Sequence, residues 1–117
     1  MGFPIEFFQD DHFGRPINEF LDGLDDKQKA KAFRVFQWVQ EHERVSSEHL
    51  KKLPGTDDIW EVRVGFAGNI QRYLGKLHNG RLVLVHAFVK KTQKTPAKEI
   101  ALAEHRARHY VRTHGRA

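Results

Sequence analysis

The chain of 117 residues has no cysteine, and its longest apolar run, Leu82 to Val89, is interrupted by His86. Without thiols there can be no zinc ribbon of cysteines, no thiol redox couple, no cysteine nucleophile and no disulfide-stapled scaffold. The run falls far short of the roughly 20 residues that span a bilayer, so no membrane helix is expected. The opening MGFPIEFF lacks the basic region and long apolar stretch of a signal peptide, which predicts a cytoplasmic protein that starts here. Repeats, low-complexity segments and linkers are also missing. What remains is one domain over residues 1–117, large enough to bury roughly 60–70% of its unfolded surface around a single core.

Charge is divided unevenly along the chain. Residues 1–50 hold six Lys or Arg against ten Asp or Glu, a balance of −4, whereas residues 51–117 hold fourteen against five, a balance of +9. A basic second half points to a polyanionic partner, either nucleic acid or an acidic protein segment.

Periodicity orders the elements. Phe3 to Phe8 reads as an opening strand before Asp10 and Asp11. Pro16 suits the first position of a short helix that Gly23 ends. Asp25, with Gln28 three residues on, forms a capping box for a second helix whose Ala32, Val35, Phe36 and Val39 face the core. Ser46 to Lys52 predicts a helical turn stopped by Pro54-Gly55. From Ile59 the period becomes two. Three strands follow as a meander, turned at Gly68-Asn69 and at Asn79-Gly80, a strong type I′ signal because both central residues need positive φ. The third, Arg81 to Lys91, is apolar on both faces and belongs inside the sheet. Thr95-Pro96 is expected to cap and open a last helix facing the core through Ile100, Ala103, Ala107 and Val111.

Turn lengths then set register. A two-residue turn at Ala67-Gly68 places Arg63 opposite Arg72, and the Asn79-Gly80 turn places Arg72 opposite Ala87 and Tyr73 opposite His86. One face would carry Trp60, Val62, Val64, Phe66, Tyr73, Leu84, His86 and Phe88 beneath the helices. The other would carry Glu61, Arg63, Arg72, Val85, Ala87, Val89 and Lys91. Like charges on adjacent strands are destabilising by up to about 1 kcal/mol, so the arginines need an anion. Glu61 can supply one, and a phosphate could supply more. The segment Val89-Lys90-Lys91-Thr92-Gln93-Lys94-Thr95-Pro96 adds three lysines at the entry to the last helix. There they oppose the helix dipole unless an anion sits with them.

At these residues, KKLPGTDDIWEVRVGFAGNIQRYLGKLHNGRLVLVHAFVKKTQKTPAKEIALAEHRARHY, covering 51–110, resembles the RelE/HigB superfamily of bacterial type II toxins, in particular its phage-derived HigB-like branch. GRPINEFLDGL matches more weakly. The resemblance implies a small RelE-like α+β domain, ordered strand, helix, helix, three-strand antiparallel meander, helix, with helices on one face of a twisted sheet. It also implies ribosome-dependent mRNA cleavage, no cofactor, and a cognate antitoxin, often with a helix-turn-helix. A ParE-like inhibitor of DNA gyrase and an inactive antitoxin-binding remnant are the competing readings.

Metal-independent RNA cleavage needs a base for the 2′-hydroxyl, a cation for the phosphorane and an acid for the leaving 5′-oxygen. Arg63, Arg72 and Lys91 fall where the family places basic catalytic or phosphate-binding residues. Glu61, at a position where some relatives carry lysine, is a candidate base, and so is His86 through its intrinsic pKa. Lys90, Lys94 and Gln93 are candidate RNA-backbone contacts, with Lys51 and Lys52 extending the basic surface. Ala97 stands where some relatives carry a base-stacking aromatic. His105 and His109 are spaced i, i+4, but no acidic residue follows His105 in the zinc-protease pattern, so no metal is expected.

Overall fold

The computed structural model describes residues 2–91 and 93–115. The chain runs β1 (Ile5–Phe7), α1 (Pro16–Asp22), α2 (Asp26–Glu41), β2 (Leu50–Lys52), β3 (Ile59–Phe66), β4 (Asn69–His78), β5 (Arg81–Lys90) and α3 (Ala97–His114). The sheet has five strands in the order β1-β5-β4-β3-β2. β1 pairs parallel with β5 and the other neighbours are antiparallel, so the sheet is mixed. The meander and the interior place of β5 follow the expectation.

Local signals act where the sequence puts them. The Asp25 carboxylate accepts from the Gln28 amide at 2.8 Å while the Gln28 side chain accepts from the Asp25 amide, a complete capping box. Pro16 occupies the first turn of α1. Ala67-Gly68 and Asn79-Gly80 all have positive φ, the requirement of tight type I′ hairpins.

Three expectations are corrected. The helical turn expected over Ser46 to Lys52 is confined to its start, where the His49 and Leu50 amides donate to the Ser46 carbonyl oxygen; Leu50–Lys52 is strand β2, because the edge of β3 offers backbone partners that an isolated turn cannot match. The helices do not share one face. α1 and α2 pack Ile17, Leu21, Ala32 and Phe36 on Val62, Val64, Tyr73, Leu82 and Leu84, while α3 packs Ala103, Ala107 and Tyr110 on Ile59, Leu74, Val83 and Val85 of the opposite face. Finally, a β-bulge between Leu74 and Gly75 shifts the β4–β5 register by one, so Tyr73 pairs with Ala87 and Arg72 with Phe88. Phe88 therefore turns to the α3 face and Ala87 to the α2 face, the reverse of simple alternation. Gly75 suits the site because a Cβ there would lie 2.9 Å from both Leu84 Cδ2 and the Val83 carbonyl oxygen.

Candidate functional site

Arg63 and Arg72 are register partners on β3 and β4, as the first hairpin predicts, and both project onto the α3 face. Glu61, two residues before Arg63, shares that face. α3 covers only part of it with apolar residues, and the chain entering that helix crosses over the charged part.

Residues 93–95 bind what they cover. The Gln93 carbonyl oxygen accepts from Arg63 Nη2 at 2.7 Å and from Arg72 Nη1 at 3.0 Å. Arg63 Nη1 donates to Gln93 Oε1 at 3.1 Å, and Arg63 Nε is ion-paired with Glu61 Oε1. The Thr95 hydroxyl donates to Glu61 Oε2 at 2.5 Å and accepts from Arg72 Nη1 at 3.3 Å. Glu61 Oε2 also lies 3.7 Å from Arg72 Nη1. One carboxylate thus serves two guanidinium groups.

Glu61 and Arg72 are both 0% exposed. The Arg63 side chain retains 14%. Arg72 Nε and Nη2 are buried without a hydrogen-bond partner among the described residues. Burial pushes the Arg72 pKa down, Glu61 opposes that shift, and Arg63 adds to it. Buried donors without acceptors are costly, more so on a charged group.

Thr95 was expected to cap α3. Instead Pro96 occupies the N-cap position in an extended conformation, with no side-chain cap bond, so Thr95 stands one residue too early and its hydroxyl goes to Glu61. Proline in that place is the signal that could have identified it. The role of the Gln93 backbone carbonyl has no sequence signal, because every residue carries one.

The lysines surround this cluster rather than entering it. Lys51 lies across from Glu61 in the β2–β3 register and is exposed. Lys52 lies across from Trp60 and pairs with Asp58 at 3.5 Å. Lys90 ends β5 and Lys91 follows it, both exposed, as is Lys94. Lys91 makes no hydrogen bond or ion pair with Glu61, Arg63 or Arg72 among the described residues, so the structure joins the two arginines but not the third cation.

His86 belongs to a separate group. Its Nε2 lies 2.8 Å from Glu99 Oε1 and its Nδ1 3.4 Å from Arg106 Nη1, which also donates to the Val85 carbonyl at 2.9 Å. Burial pushes the His86 pKa down and Glu99 opposes it. The bulge turns the imidazole toward α3, not toward α1 and α2 as expected, and among the described residues no hydrogen bond links it to Arg63 or Arg72. His109 Nε2 lies 2.7 Å from Asp10 Oδ2, tying the loop before α1 to α3. Ala97 is the first residue of α3. No helix among the described residues is long and apolar enough to cross a membrane.

Two guanidinium groups converging on one oxygen form the geometry that holds an anionic oxygen, with a carboxylate and a hydroxyl at hydrogen-bonding distance. The family model described as "Phage derived protein Gp49-like (DUF891)" matches residues 19–108. That span runs from α1 through most of α3 and includes Glu61, Arg63, Arg72, Gln93 and Thr95. No curated protein matches the sequence. The match supports a phage-derived toxin without distinguishing the HigB-like branch. The chain belongs to the Gp49-like phage-derived family, within the RelE/ParE-like toxin superfamily.

Proposed function

We propose that this protein is the toxin of a type II toxin–antitoxin pair, of HigB-like type, and that it cleaves mRNA on the ribosome without a metal. The observation that carries the reading is the shared oxygen acceptor of Arg63 and Arg72. A phosphodiester oxygen in place of the Gln93 carbonyl would receive both guanidinium groups and add the negative charge that the cluster lacks.

In this reading the base takes the proton of the 2′-hydroxyl, whose oxygen attacks the neighbouring phosphorus. Charge on the phosphorane oxygens is stabilised by Arg63 and Arg72. The P–O5′ bond then breaks, leaving a 2′,3′-cyclic phosphate and a protonated 5′-oxygen. Glu61 is the preferred base because it touches both arginines, whereas His86 is engaged elsewhere with Glu99 and Arg106. Lys91 is the candidate acid. Lys90, Lys94, Lys51 and Lys52 would bind the RNA backbone, whose charge dominates such affinities, whereas Gln93, expected among those contacts, is bonded to Arg63. Membership in a toxin-like family implies an antitoxin partner. We assign it an acidic surface for the basic rim, a helix-turn-helix of its own, and a place beside the toxin in the cytoplasm.

Burial of Glu61 and Arg72 favours a second reading, a ParE-like gyrase inhibitor in which the cluster is structural and exposed lysines bind the target. Expression without antitoxin, with mRNA ends mapped, separates the two. Cleaved messages that diminish about 10²- to 10³-fold in Arg63→Ala and Arg72→Met variants support the nuclease. Growth arrest with intact mRNA and DNA damage supports the gyrase inhibitor, and harmless expression marks an inactive remnant.

A further inference from the structure

We infer that residues 93–95 are a self-ligand that closes the arginine site, and that phosphodiester binding requires this segment to leave. The inference rests on the arginine pair being an anion site, and adds a means of regulating it.

Charge within the cluster is the first ground. Two guanidinium groups and one carboxylate leave a net positive charge in a region where Arg72 and Glu61 have no exposure. The groups that complete the shell are the neutral backbone and side-chain carbonyl oxygens of Gln93 and the neutral hydroxyl of Thr95. Charge-assisted bonds to an anion are stronger than bonds to a neutral acceptor, so the segment is a weak occupant of a strong site.

Unused donors are the second ground. Arg72 Nε and Nη2 have no partner among the described residues although they are buried. A phosphodiester offers two non-bridging oxygens that share a negative charge, whereas the one acceptor of the segment that both arginines share, the Gln93 backbone carbonyl, is neutral. The third ground is how the segment is fastened. Thr95 binds Glu61 and Arg72 through its hydroxyl instead of capping α3, and Gln93 binds Arg63 through both its side chain and its carbonyl. These bonds join the segment to the residues that an anion would engage.

A site populated in its open form for only a fraction of the time has its apparent affinity reduced by that fraction. Loosening the fastening should therefore tighten ligand binding, which is opposite to the effect of deleting a ligand-binding residue. The test uses the full chain, a fluorescent single-stranded RNA made uncleavable by 2′-O-methylation, and hydrogen exchange of the amides at residues 93–95. Thr95→Val removes the hydroxyl at nearly constant volume. It should accelerate exchange in the segment and tighten RNA binding roughly tenfold. Adding Arg63→Ala should abolish the gain.

Equal or weaker binding by Thr95→Val, with Arg63→Ala still weakening the wild type, would overturn the self-ligand and leave the arginine site standing. If Arg63→Ala changes affinity in neither background, the arginine site itself fails and the self-ligand with it. Should Thr95→Val not fold, Gln93→Ala removes only the side-chain bond to Arg63 and should tighten binding by a few-fold. Unchanged or weaker binding by that variant is likewise a refutation.

Discussion

On the sheet face beneath α1 and α2, the buried side chains among the described residues are apolar apart from Gln71, whose Oε1 accepts from the Tyr73 hydroxyl at 2.5 Å. On the α3 face an apolar region around Ile59, Leu74, Val83 and Val85 gives way to Glu61, Arg63, Arg72 and Thr95. The strands are the same, so propensity does not explain the difference. Each large apolar side chain fully buried on the first face contributes about 1.5–3 kcal/mol. Buried ion pairs often stabilise no more than apolar residues of similar size, and less when donors remain unpaired. The charged region thus contributes less to folding than apolar residues of the same size would, as expected of residues kept for function.

The largest effect expected is on the charged region. Glu61→Ala leaves two guanidinium groups sharing a buried space without a carboxylate and should destabilise by about 3–5 kcal/mol, measured by urea unfolding. Arg72→Met, by contrast, leaves Glu61 paired with Arg63 and should hold stability within about 1–2 kcal/mol while removing activity. Loss of stability as large as that of Glu61→Ala would mean that Arg72 is retained for structure, and the contrast between the faces would break.

Leu84→Ala, on the apolar face, should cost about 2–5 kcal/mol through lost burial and the cavity left behind. Its activity per folded molecule should match that of the wild type. Equal damage to activity and stability would show that the two faces are coupled.

The smallest effect is pH dependence through His86. Burial holds its native pKa below the ordinary 6.5, so the unfolded chain takes the proton first as pH falls. The stability contribution is complete above about pH 6.5 and is lost as pH falls from there through the lowered native value. His86→Phe should flatten the thermal midpoint across that interval. An unchanged slope would assign it to another group.

Much of the scaffold is legible in the sequence because its signals are short-range. Asp25 and Gln28 cap α2 through contacts three residues apart, and the two positive-φ turns set the hairpins. The first turn also places Arg63 opposite Arg72. Legibility stops at Gly75, where one inserted residue on β5 reverses the facing of Ala87 and Phe88. It stops again at β2, whose three residues form a strand only because β3 is already beside them.

By itself the sequence determined the order of every element but β2, the hairpins, the toxin superfamily and the pairing of the two arginines, because each depends on local spacing or on a motif that survives linear reading. Tertiary structure decided that α3 lies on the face opposite α1 and α2, that Thr95 serves Glu61 instead of a helix end, and that a backbone carbonyl holds the arginines. The bonds of Thr95 and Gln93 join residues 21 to 34 apart in the chain, and the packing of the helices on the sheet likewise joins segments distant in sequence. There burial and the demand that buried polar groups find partners outweigh any preference that neighbours in the chain can express.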